Sequence, residues 1–160
     1  MMIIPIPLSL YIHIPWCVKK CPYCDFNSYA SHGKIPETEY IERLIVDLER
    51  DLPLAFGRPI KSIFFGGGTP SLFSAKGIER ILETVASRLS LESNLEVTLE
   101  ANPGTVEHNP FVDYQKAGIT RISLGVQSFQ NEKLKRTGGN DKGGILSRSH
   151  CENKNHERRD

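Results

Sequence analysis

Leu8-Ser-Leu-Tyr-Ile-His-Ile-Pro-Trp-Cys-Val-Lys-Lys-Cys-Pro-Tyr-Cys24 opens on a strand and breaks into a loop that carries three cysteines. From Leu8 to His13 apolar and polar residues broadly alternate, the period of a pleated strand. Pro15 stops it, because proline has no N–H to give a ladder. Outward from this stretch, strands and helices take turns. Thr38 can cap a helix in which Ile41, Leu44, Ile45, Leu48 and Leu52 form one apolar stripe. Burying each of those side chains contributes about 1.5–3 kcal/mol, so the helix must lie on an apolar partner. Ile60 to Phe65 reads as a second strand and ends in Gly66-Gly67-Gly68-Thr69-Pro70. A second helix starts near Ser74, with Ile78, Ile81, Leu82, Val85 and Leu89 on one face. Leu95 to Ala101 is a third strand, stopped by Asn102-Pro103-Gly104. A short third helix, about Pro110 to Ala117, leads through Gly118 into a fourth strand, Arg121 to Val126. Asn131 to Arg136 has the look of the first turns of a fourth helix. Strands joined by helices pair in parallel through right-handed crossovers. The expected fold class is α/β, about three and a half β/α units of parallel strands forming part of a (β/α) barrel or an open sheet.

The 160 residues suffice for one domain, and 39% apolar with 24% charged content is ordinary for a globular protein. A formal net charge of +1 gives no global field toward nucleic acid or a membrane surface, and Lys19, Lys20 and Lys61 make no patch that compels one. Met1 to Leu10 is apolar but has no basic leader and carries Pro5 and Pro7, so it reads as a buried strand rather than a signal peptide. No apolar run approaches the roughly 20 residues that span a bilayer. The expected location is the cytoplasm.

Three of the four cysteines fall between positions 17 and 24. In a reducing compartment such clustering points to metal binding or catalysis rather than disulfides. Thiolates are the usual ligands of iron-sulfur clusters, and three of them on a four-iron cube leave one iron open to a small molecule. A zinc site is the alternative, with His13 or His32 as fourth ligand.

Three further motifs accompany the cysteines. Phe64-Phe65-Gly66-Gly67-Gly68-Thr69-Pro70, Leu99-Glu100-Ala101-Asn102-Pro103 and Ser123-Leu124-Gly125-Val126-Gln127-Ser128-Phe129 all stand at the ends of successive strands. Together with Leu10 to Asn27 they resemble the radical S-adenosylmethionine (SAM) superfamily, and within it the oxygen-independent coproporphyrinogen III oxidase-like family. The resemblance runs over about residues 8 to 136. It implies a 4Fe-4S cluster on Cys17, Cys21 and Cys24, whose open iron binds SAM. It also implies a SAM shell of Tyr11, Tyr23, Gly67, Gly68, Thr69, Glu100 and Gln127, with no side chain assigned as catalytic. A reduced cluster of this family cleaves SAM to a 5′-deoxyadenosyl radical, which takes hydrogen from a substrate. His13 is expected to be structural or to support the ligands from behind.

Oxidases of the family carry a further cysteine two residues after the third ligand, where this chain has Phe26. The text Cys24-Asp-Phe-Asn27 is similar to the haem-chaperone branch instead. That branch implies haem as cargo, a haem-acceptor protein as partner and a reducing electron donor such as a flavodoxin. A coproporphyrinogen dehydrogenase-like enzyme of porphyrin biosynthesis is the second expectation, and a non-functional fragment the third. After Arg136 the resemblance stops. Residues 137–160 hold only Ile145, Leu146 and Cys151 as apolar residues among nine charged ones and four glycines, with no period. Such a segment is expected to be a disordered tail to the barrel part at 1–136, and the abrupt change predicts a frameshift. A genuine short paralogue is the alternative. A family arginine that helps hold SAM would fall at Gly139.

Overall fold

The computed structural model describes residues 6–103 and 111–136. The expected turn at Gly104, the start of the third helix at Pro110 and the tail from Thr137 lie outside them. Eleven short elements follow one another: β1 (Leu8–Ile14), β2 (Trp16–Cys17), β3 (Tyr29–Ala30), α1 (Glu37–Ala55), β4 (Ile60–Gly67), a 3-10 turn (Pro70–Leu72), α2 (Ala75–Arg88), β5 (Leu91–Ala101), α3 (Phe111–Lys116), β6 (Arg121–Leu124) and α4 (Asn131–Arg136).

Four of the strands make one parallel sheet in the order β1-β4-β5-β6. Each long strand pairs with the next in the chain, so the sheet is wound in one direction, as in a (β/α) barrel, and does not reverse as a doubly wound sheet does. Parallel units of this kind cross over with a right hand as a rule, which puts their helices on one face, and here α1 packs on α2 and α2 on α3. That face is the core. Ile12 and Ile14, Ile63 and Phe65, and Val97 and Leu99 alternate inward along three strands and meet Ile41, Ile78, Ile81 and Val85 from the helices. The period of two puts the intervening residues on the opposite face. Register sets Tyr11 beside Phe64 and Phe64 beside Thr98, and it sets Glu100 beside Ser123. This second face is polar and partly open: Ser9 bonds Ser62 at 2.8 Å, and Arg121 pairs with Glu96 at 3.0 Å.

The structure corrects some local expectations. Thr38 lies inside α1, whose N-cap is Pro36 without a side-chain cap bond. Ser74 does cap α2, accepting from the Gly77 N–H at 3.0 Å. β5 begins at Leu91, earlier than expected, across a register shift between Ile60 and Ser62, while β6 stops at Leu124. The cysteine segment is no free loop. Its two ends form a parallel ribbon, Trp16–Cys17 against Tyr29–Ala30, closed by Tyr29 N–H to the Pro15 carbonyl and Ser31 N–H to the Cys17 carbonyl, both at 2.8 Å. Strands of two residues are too short to show a period.

A candidate iron-sulfur and SAM cleft

The C-terminal ends of parallel strands are where α/β folds bind ligands, since successive turns open there side by side. Here β4 ends in the triple glycine, β5 in Glu100-Ala101 and β6 just before Gly125, and the cysteine ribbon lies across them. Between ribbon and strand ends is a cleft of about 200 Å³. Cys17, Cys21 and Cys24 line one side of it. Gly67, Gly68, Thr69, Glu100 and Gln127 line the other, with Tyr23 on the loop side.

The root of the ribbon is fixed from three directions. Trp16 meets Tyr40 edge-on at 4.6 Å and stacks on Phe73 at 5.9 Å. Tyr40 O–H donates to the His13 carbonyl at 2.8 Å. Tyr114 O–H reaches the Ser71 and Phe73 carbonyls, holding the turn after the glycines. His13 ties the cysteine segment to β1. Its Nε2–H donates to the Asn27 carbonyl at 2.8 Å, which leaves Nδ1 to accept from Tyr11 O–H at 3.2 Å. Both ring nitrogens are thus engaged within the fold.

The glycines have a reason the sequence did not reveal. A β-carbon at Gly68 would stand 2.5 Å from the Trp16 carbonyl oxygen, and Gly67 has φ +114° with the His13 ring against it. The cysteine segment thus approaches Gly68 closely, and the His13 side chain of β1 approaches Gly67. Their N–H groups are already committed: Gly67 to Glu100, Gly68 to the Ile14 carbonyl at 2.7 Å, and Thr69 to the Trp16 carbonyl at 2.7 Å. A glycine carbonyl oxygen can accept from a donor such as an amino group, whereas the Thr69 carbonyl already takes the Leu72 N–H at 3.0 Å. Thr69 is buried, and its hydroxyl accepts from Asn102 Nδ2 at 3.1 Å.

Charge in the cleft is uneven. Burial raises the Glu100 carboxyl above the ordinary carboxylate range, partly offset by the Gly67 N–H. Tyr11 is raised by burial and by the Glu100 charge, and Tyr23 by burial and by the neighbouring Cys21 and Cys24 sulfurs. Gln127 is held at φ +61°, a left-handed conformation that a non-glycine residue adopts only under constraint. Tyr11 is the exception among the expected shell. It sits one step down the polar face, stacked near Phe64 at 6.2 Å, and is not part of the cleft wall. Sequence reasoning missed Lys20, Ser123 and Asn102, all on the wall. Asn102 reads in the chain as a strand stop, and the lysine as one more solvated charge.

Three free, partly exposed cysteines line this cleft together with one carboxylate, and thiols are the donor chemistry that iron-sulfur clusters use. Among the described residues no three His, Cys, Asp or Glu side chains stand close enough to share a single metal ion. No helix of the described residues is long and apolar enough to cross a membrane.

The model of the radical SAM superfamily matches residues 11–145. The heme chaperone HemW of Escherichia coli (strain K12) is 60% identical over 132 residues, covering 82% of this chain and 35% of that protein. The heme chaperone HemW of Haemophilus influenzae is 57% identical over 136 residues, covering 82% of this chain and 36% of that protein. Among solved structures, coproporphyrinogen III oxidase (HemN) from Escherichia coli, described as a radical SAM enzyme, superposes with a TM-score of 0.76 at 28% identity. That superposition covers 84% of this chain and 31% of that one. The chain thus spans about a third of the length of the curated relatives it matches.

Proposed function

The chain belongs to the radical SAM superfamily, and on that premise we propose that it holds a 4Fe-4S cluster and SAM in a protein that carries haem to acceptor proteins. Cys17, Cys21 and Cys24 are the cluster ligands in this reading. What carries it is the meeting, in one cleft, of those three thiols with Gly67, Gly68, Thr69, Glu100 and Gln127. When bound, the cluster supplies one-electron reduction of SAM through an iron that no cysteine ligates. The rest falls to side chains of this chain. Glu100 and the glycine carbonyls would accept from donor groups of SAM, and Tyr23 and Gln127 would line the same cleft around it. His13 keeps the far end of the cysteine segment against β1 through Asn27. Tyr11 acts from the layer beneath.

Haem as cargo is supported by the relatives named heme chaperone, at 60% and 57% identity, and by Phe26 at the place of a further cysteine. An acceptor protein, a flavodoxin-like reductant and a cytoplasmic setting belong to the same proposal. So does a division into a barrel part at 1–136 and a separate segment at 137–160. The enzyme reading draws on the likeness to HemN at 28% identity and is the weaker.

Anaerobic reconstitution of the 160-residue chain, followed by haem titration, tests the proposal. The expected result is about four irons per chain, lost when the three cysteines are changed to serine, and a Soret band as haem is added. A loaded cluster with no Soret band would sink the cargo reading. Consumption of coproporphyrinogen III with SAM under reduction would favour the enzyme, and failure of every assay would leave a fragment.

A further inference from the structure

Lys20 stands immediately before Cys21, yet its ammonium is spread over the opposite arm of the cysteine segment. Nζ donates to the Phe26 carbonyl at 2.6 Å and to Ser28 Oγ at 2.8 Å, and it approaches Cys24 Sγ at 3.9 Å. An ammonium has three N–H groups, and these are three acceptors, on the alternate residues Cys24, Phe26 and Ser28. Ser28 is buried, and its hydroxyl in turn donates to the Phe26 carbonyl at 3.4 Å. Among the described residues no carboxylate forms an ion pair with Lys20. A surface lysine without such a role keeps its charge in water, where hydration is strongest.

We propose that Lys20 is the positioning residue of the cysteine segment and that its charge sets the reduction potential of the cluster held there. The inference rests on the cluster reading above. Two physical effects support it. The ribbon β2–β3 fixes only the ends of the segment, and the Cys24 N–H to Cys21 carbonyl bond at 3.2 Å closes only the turn between those two ligands. Lys20 ties the middle, holding the second ligand against the arm that carries the third. Its positive charge also lies within 4 Å of a ligand sulfur. A cation there favours whichever state of the site carries more negative charge, which is the reduced one. Hydrogen bonds to the ligand sulfurs act in the same direction and are among the known tuners of such clusters.

The test compares the wild-type chain with Lys20→Met, Lys20→Arg and Ser28→Ala after anaerobic reconstitution. Iron per chain, an EPR-monitored redox titration and far-UV circular dichroism of the iron-free forms are read together. Lys20→Met is expected to lower the reduced-to-oxidised ratio at a fixed solution potential about tenfold, about 59 mV for one electron. Lys20→Arg keeps the charge and should keep the wild-type ratio. Ser28→Ala loosens the tether without removing the charge and should shift the ratio the same way by less. Loss of most iron from Lys20→Met with an unchanged iron-free spectrum would also support the role. Wild-type loading and wild-type potential in Lys20→Met would overturn it. Should Lys20→Met lose the iron-free spectrum, an unshifted Ser28→Ala would overturn it instead. A wild-type chain that takes up no cluster, or serine variants of the cysteines that load equally, would overturn the cluster reading itself and be told apart at once.

Discussion

Glu100 is a carboxylate kept where burial disfavours its charge. In the unfolded chain it titrates near its ordinary value, about 4.3. Between that value and the raised one, the folded chain holds a proton that the unfolded chain has lost. Stability linked to this group is therefore full below its ordinary value and is lost as pH rises through the raised value. Ionised Glu100 weakens the fold near neutrality, which is what a residue held for ligand binding is expected to do. Glu100→Gln should then melt higher than wild type near pH 7, with the gap closing below about pH 4. Thermal unfolding across pH measures this, and a lower melting point at neutrality would mean that the Gly67 N–H bond outweighs burial. At this scale much of the site was legible. The three cysteines stand out by their spacing, while the triple glycine, Glu100 and Gln127 are marked only by the family resemblance. What Gly68 is for was not legible, because the Trp16 carbonyl that excludes a β-carbon arrives from another strand.

The helices show the same division one level up. Ser74 before an apolar stripe announces the N-terminus of α2, and it caps it. Nothing in the spacing announces that Glu37, in the first turn of α1, takes the Ser74 N–H at 2.8 Å and the Ser74 hydroxyl. One carboxylate thereby joins the starts of two helices, where the partial positive charge of α2 favours an anion. Ser74→Ala should cost about 1 kcal/mol of stability, the usual worth of a cap. Glu37→Gln should cost about as much, and the double variant less than the sum by about 0.5 kcal/mol or more, since the two share their bonds. Denaturant unfolding of the four chains of this cycle checks it, and simple additivity would deny the link. Thr38 failed as a cap for a related reason. Any of several polar residues near a helix start can cap, and the turn at Pro36 sets the start earlier.

Helices cover one face of the sheet among the described residues and leave the other open. Among the described residues the outer edge of β6 has no strand beside it, and Phe111, Val112 and Phe129 stand exposed near that side of the fold. An open edge with apolar neighbours invites pairing with another chain. With whole domains stable by only about 5–15 kcal/mol, a sheet bare on one face has little margin. Expressed alone, the 160-residue chain should self-associate, with a sedimentation coefficient that rises with concentration and a broad thermal transition. A monomer at all concentrations with one sharp transition would contradict this.

By itself the sequence determined the alternation of strands and helices, the parallel class of the sheet, the cap of α2 and the cluster of three cysteines. Each is written in residues a few positions apart, where period, turn chemistry and ligand spacing act. Only the tertiary structure decided that the strands run β1-β4-β5-β6 in one direction and that the cysteine segment closes as a ribbon. Only it put Cys17, Glu100 and Gln127 around one cleft and Tyr11 beneath it, and only it turned Lys20 back across its own loop. Those facts join residues from separate elements, and parallel crossovers bring such residues together through packing that no local spacing encodes.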